Sequence, residues 1–132
     1  RIPAAVMAQP VGWRPEVREP KYPGAFWKSW GPALIAKRAE ITMQTAEQFT
    51  TRMFETNPDF LFTVTRDFIR SCQNPILVLP DDVPAHPLAV AMDCAMLAPK
   101  SEVSIFPWKE PRERIPLAVR QVRSFLKAHR PA

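Results

Sequence analysis

The sequence predicts an α/β fold built on a parallel sheet. Three observations carry this. Pro75-Ile76-Leu77-Val78-Leu79 is apolar at every position, so it has no wet face and fits a parallel strand covered on both sides. Ile2 to Ala8 is a second short apolar run, closed by Gln9-Pro10-Val11-Gly12, and reads as another buried strand followed by a turn. The order along the chain is strand, helical insert, strand, helix, strand, helix, which is the alternation of a parallel α/β sheet.

Each element has its own local reason. Trp13 to Gly24 carries Pro15, Pro20 and Pro23 among charges and reads as an irregular excursion. Ala25 to Ala39 has Phe26, Trp27, Trp30, Leu34 and Ile35 at helical spacings, with a kink or break expected at Gly31-Pro32. Thr42 to Glu55 is a second helical stretch, with Thr45 and Gln48 fitting a capping box. Asn57-Pro58 reads as the start of a third helix whose stripe is Phe60, Leu61, Val64, Phe68 and Ile69. Pro87 to Leu97 is a helix of small and apolar residues. Glu102 to Phe106 is a third strand, closed by Pro107, and a last amphipathic helix runs from Arg114 to His129 with Ala118, Val122, Phe125 and Leu126 inward. Three aromatic-rich helices between two strands exceed the dozen or so residues that a crossover needs, so the excess reads as an inserted lid.

Composition limits the function classes. The 132 residues suit about one small domain, and 46% hydrophobic with 23% charged residues is ordinary for a globular protein. No run approaches the roughly 20 apolar residues of a membrane span, and no membrane partner is expected. The N-terminal apolar run is too short for a signal peptide, and the absence of an initiator Met reads as a processed or cut chain. The net charge of +5 comes from basic residues scattered among acids, as in Arg14, Glu16, Arg18, Glu19 and Lys21. That is a mixed-charge surface rather than a nucleic-acid stripe. Cys72 and Cys94 have no metal-ligand spacing. A reduced, cytoplasmic compartment is the default, and neither metal nor cofactor is expected.

Chemistry concentrates after the central strand, in Pro80-Asp81-Asp82-Val83-Pro84-Ala85-His86-Pro87. Ligands of open parallel sheets bind outside the carboxyl ends of the strands, where two carboxylates and an imidazole appear here. Asp81 and Asp82 are either turn residues or include one carboxylate that orients and charge-stabilises an imidazole. The expectation leans to Asp82, one residue further from the strand. His86 is either a turn residue before Pro87 or a base at the sheet edge. His129, at the end of the last helix, reads as a solvated side chain. Trp13, which follows a strand's carboxyl end, is the first candidate for a pocket wall, with Trp27 and Trp30 of the insert beside it; such a pocket suits an apolar or aromatic substrate.

These segments resemble the C-terminal half of an α/β-hydrolase. In that family a penultimate core strand ends in a catalytic acid, a helix follows, then a last strand and a closing helix. Pro75 to Asp82, Glu102 to Phe106 and Val122 to His129 match in that order. The resemblance implies a core strand and turn at 1–12, a helical cap at 13–73 and a C-terminal α/β core at 74–132. It implies Asp81, Asp82 and His86 as catalytic residues. The family's Gly-x-Ser-x-Gly elbow is absent from these residues, and the loop Phe106-Pro107-Trp108-Lys109-Glu110-Pro111 has no histidine where the family places its base. The chain therefore reads as a fragment or subunit of an esterase-like hydrolase, with a complementary N-terminal half or second chain supplying the nucleophile. The alternative is a non-catalytic ligand-binding module of the same fold.

Overall fold

The computed structural model describes residues 2–13, 21–38, 40–54 and 60–131, with the backbone alone over 21–27. The expected irregular excursion therefore lies largely outside the described residues at 14–20, as does the expected helix start at Asn57-Pro58.

The fold is α/β around a three-stranded parallel sheet, ordered β1 (Ala5–Ala8), β2 (Ile76–Leu79), β3 (Ser101–Val103). Val6 pairs with Leu77 and Met7 with Val78 on one side of β2, and Leu77 pairs with Glu102 and Val78 with Val103 on the other. All four residues of β2 are buried, as the lack of any polar position along it requires. Ile76 and Val78 face one way, into a cluster with Phe60, Leu61, Ile69, Val90, Ala91 and Cys94. Leu77 and Leu79 face the other way, against Phe125, Val122, Val6 and Trp108. The period-two alternation of a strand thus divides one apolar run between two helical layers.

Proline sets the strand ends. Along β2 the even-numbered amides donate toward β3, as Ile76 N–H does to Lys100 O at 2.9 Å. The next such donor after Val78 is residue 80, a proline with no N–H. The ladder stops there, and β3 is shorter than the expected Glu102–Phe106: Ser104 N–H still donates to Val78 O at 2.9 Å, but Ile105 and Phe106 leave the sheet and are exposed. Pro3 has the same effect at the start of β1, which begins at Ala5 rather than Ile2.

Helix α1 (Lys21–Ile35) packs on α2 (Met43–Phe54). It begins earlier than expected and continues through Gly31-Pro32 without a break; Ala36 N–H donates to Pro32 O at 3.0 Å, so hydrogen bonding resumes one turn beyond the missing proline donor. The α2 cap is Thr42, whose Oγ1 accepts from Thr45 N–H at 3.1 Å. Thr45, the expected cap, already lies inside the helix. Phe60 to Val64 is a turn, not helix: Val64 N–H donates to Leu61 O at 2.9 Å, and Phe60, Leu61 and Phe62 are all buried, which no single helical stripe allows. Helix α3 (Arg66–Ser71) starts only after Thr65, whose side chain accepts from Phe68 N–H. It packs on α4 (Leu88–Leu97) and sends Ile69 into the sheet's core. A 3₁₀ turn, Arg112–Arg114, leads into α5 (Ile115–Ala128), which covers the opposite face through Ala118 and Phe125.

The segment after β1 is fastened to this core. Trp13 N–H donates to Phe60 O at 2.8 Å. A Cβ on Gly12 would lie 2.5 Å from Val90 Cγ1 and 2.7 Å from Phe60 O, so only glycine permits this approach. Arg66 holds the same turn on α4: its guanidinium sits 4.6 Å from the Phe60 ring centroid and donates to Asp93 at 3.0 Å.

Candidate functional site

The carboxyl ends of all three strands contribute to one point. Gln9 follows β1 directly, Asp81 follows β2 after one intervening residue, Pro80, and Lys109 lies on the loop after β3. Gln9 Nε2 donates to Asp81 Oδ2 at 2.5 Å, and Lys109 Nζ donates to the same oxygen at 2.6 Å. Asp82 N–H donates to Asp81 Oδ1 at 3.0 Å. Gln9 reaches Asp81 because its backbone is left-handed, φ 51°, a conformation that costs a non-glycine residue about 1–2 kcal/mol. It turns the chain at the end of β1. Trp108 Nε1 donates to Pro80 O at 2.8 Å and fixes the indole beside the carboxylate.

These residues open onto a cleft of about 260 Å³ lined by Asp81, Asp82, Val83, Phe106, Trp108 and Lys109, among others. Burial of Asp81 pushes its pKa up. The Lys109 ammonium, the Asp82 amide and the Gln9 amide outweigh that and hold it below the ordinary carboxylate value. The carboxylate is therefore ionised across the neutral range. Because the folded-state value is the lower one, the stabilisation is complete above the unfolded value near 3.8 and is lost as pH falls through the folded-state value. Wild type and Asp81→Asn are accordingly expected to differ in melting temperature above the unfolded value near 3.8 and to converge as pH falls through the lower folded-state value, read by thermal melts across an acid series. A constant gap down to the lowest pH contradicts an ionised Asp81.

The expected site residues divide. Asp81 is buried, at 9% exposure, and central. Asp82, to which the sequence reading leaned, is exposed and offers its main-chain N–H to Asp81. His86 is half-buried, and its backbone closes a turn with Val83, donating to Val83 O at 2.9 Å. Its Nδ1 is buried without a hydrogen-bond partner among the described residues, and Asp81's hydrogen bonds go to Gln9, Asp82 and Lys109. Trp13 and Trp30 are half-buried, and neither is among the residues lining the cleft or the apolar cavity below; the Trp27 side chain is outside the described residues. The sequence reading missed Gln9, Trp108 and Lys109. Their signal was position, since each follows a strand's carboxyl end.

A second, apolar cavity of about 340 Å³ lies just past Gln9. Met7, Pro10 and Val11 supply one wall, and Met53, Phe54, Leu61 and Phe62 the other, with Phe54 and Phe62 edge-to-face at 5.4 Å. Two serines near the sheet are engaged. Ser101 Oγ donates to Ala95 O and Ser104 Oγ to Ile105 O. Burial pushes the Cys94 thiol up to about 12, with help from the Asp93 charge, so it stays protonated. Cys72 and Cys94 are both free thiols. Among the described residues no group of three or more His, Cys, Asp or Glu side chains is placed to hold a metal, and no helix is long and apolar enough to cross a membrane. Comparison with family models, with curated proteins and with solved structures gives no match to this chain.

Proposed function

We propose that these residues form the acid-bearing part of an α/β-hydrolase-type enzyme that hydrolyses an ester, lactone or related acyl compound with an apolar or aromatic part. The observation that carries this reading is the convergence of Gln9 and Lys109, from beyond the other two strand ends, on the Asp81 carboxylate, which is buried and ionised and lines the cleft. Asp81 supplies the fixed negative charge that favours an imidazolium over the neutral base. His86, whose buried Nδ1 has no partner among the described residues, takes the proton of the attacking hydroxyl. The apolar cavity past Gln9 receives the acyl group. The nucleophile comes from a complementary polypeptide that bears a Gly-x-Ser-x-Gly elbow and extends the sheet. Among the described residues the outer edge of β1 is unpaired, and its residues, Ala5-Val6-Met7-Ala8, carry none of the charges that guard an edge.

One observation favours a second reading, a ligand-binding module without chemistry. The partner of Asp81 in the loop after the last strand is an ammonium, Lys109, rather than an imidazole. Steady-state hydrolysis of a panel of small aryl esters by the protein together with its complementary polypeptide separates the two. Saturable turnover supports the enzyme. Saturable binding without turnover supports the module.

A further inference from the structure

We infer that the outer edge of β1 takes a further strand from a partner chain, a strand apolar at every position and acidic at its ends. The inference rests on the reading above for the existence of a partner, and on the edge itself for that partner's chemistry. The free hydrogen-bonding groups set the occupant. Ala5 N–H donates to Pro75 O at 2.9 Å and Gln9 N–H to Leu79 O at 2.8 Å, so the odd-numbered residues of β1 bond to β2. The N–H and C=O groups of Val6 and Ala8 therefore point away from the sheet, and they have no partner among the described residues. A row of main-chain groups at strand spacing is matched by an extended chain. The opposite edge is closed. Gln121 Nε2 of α5 donates to Val103 O at 3.4 Å, and Lys100 and Glu102 place charges there.

The two faces of the sheet set the side chains. Ala118, Val122 and Phe125 of α5 turn toward the sheet, and Gln121 marks the helix flank beside β3. At 3.6 residues per turn, Ile115, Val119 and Leu126 fall on the other flank, beside β1, where Val122 and Val6 join one cluster. They are 39%, 42% and 46% exposed and form an apolar shelf next to the free edge. On the other face of the sheet, Met7 lines the apolar cavity with Met53, Phe54 and Phe62. An added strand thus meets apolar surface on both faces, as β2 does, and needs a run without polar alternation. Charge sets the ends. α5 carries Arg120, Arg123 and Lys127 and no acid, and the chain has a net charge of +5, so carboxylates complement the field that an incoming strand meets.

The test follows the fluorescence anisotropy of labelled peptides with the intact chain. The probe is Glu-Val-Ile-Val-Ile-Val-Glu, N-methylated at alternate residues so that one edge pairs and the peptide does not stack on itself. It is expected to bind saturably. N-methylation of every residue is expected to weaken it at least about tenfold through loss of the main-chain bonds. Serine in place of both isoleucines is expected to cost about tenfold. Lysine in place of both glutamates is expected to weaken binding several-fold, by a margin that shrinks as salt rises. Ala8→Pro removes an outward N–H and Val119→Lys charges the shelf; each is expected to weaken the probe about tenfold. Gln121→Ala, at the other edge, is expected to leave it unchanged. Thermal melts establish that the variants fold, and Val119→Lys decides if Ala8→Pro does not. Absence of saturable binding, equal binding of the fully methylated or serine peptide, preference for lysine ends, or indifference to Val119→Lys overturns the inference. Probe binding by a protein that turns over no ester keeps it and sinks the hydrolase reading. Ester turnover without probe binding, unchanged by Val119→Lys, does the reverse.

Discussion

His86→Gln is expected to lower ester turnover by about 10²–10⁴-fold, the ordinary contribution of a general base, and Asp81→Asn to fall in the same range. The imidazole follows the same strand end as Asp81, five residues on, and its Nδ1 has no hydrogen bond among the described residues to lose. The Val83–His86 turn is held by backbone atoms, so glutamine leaves it intact and the melting temperature is expected to hold. Asp81→Asn removes the charge that faces Lys109 at 2.6 Å, so it affects both turnover and stability, the latter with the acid dependence described above. Asp82→Asn is the control. Its side chain is exposed and the bond it gives Asp81 comes from its main chain, so turnover is expected to change only a few-fold. Steady-state kinetics of the three variants with the proposed complementary polypeptide reads all of this. Full activity in His86→Gln removes it as the base.

The largest stability effect is expected at Leu77. It is fully buried at the centre of β2, between Val6 and Glu102 along the sheet and against Phe125 of α5. Leu77→Ala deletes apolar atoms from the point where the strand meets its helical layer, at a cost of about 2–5 kcal/mol set by how far the site can collapse. Leu126→Ala, on the same α5 but 46% exposed, is expected to change stability by less than about 0.5 kcal/mol. Denaturant unfolding compares the two. A small effect at Leu77 means that the two-sided burial of β2 is not what holds the fold.

The parts of the fold that the sequence made legible are those fixed by local chemistry. A run apolar at every position, stopped by Pro80, announced a doubly covered strand and the place where its carboxyl end delivers Asp81. The inward face of α5 followed from its spacing, apart from Leu126, which is half-exposed. The rest depended on distant partners. Thr42 and Thr65 begin their helices because their side chains accept backbone N–H groups, and several hydroxyl residues nearby offered the same signal. Phe60, Leu61 and Phe62 imitate a helical stripe but are buried together around a turn that Arg66 holds on Asp93. The choice between Asp81 and Asp82 could not be read locally, because Asp81 is selected by Gln9, 72 residues away, and by Lys109, 28 residues away. The loop after β3 meets the carboxylate with a lysine, Lys109, rather than with the expected histidine.

In the proposed enzyme, Asp81 serves a nucleophile which these 132 residues do not carry. Treating the protein and the proposed complementary polypeptide with a fluorophosphonate probe, and locating the label by peptide mass spectrometry, tests this. A single labelled serine is expected, within a Gly-x-Ser-x-Gly sequence outside these residues, with labelling slowed by Asp81→Asn. Label on Ser29, Ser71, Ser101, Ser104 or Ser124 of this chain, or labelling indifferent to Asp81, would contradict it.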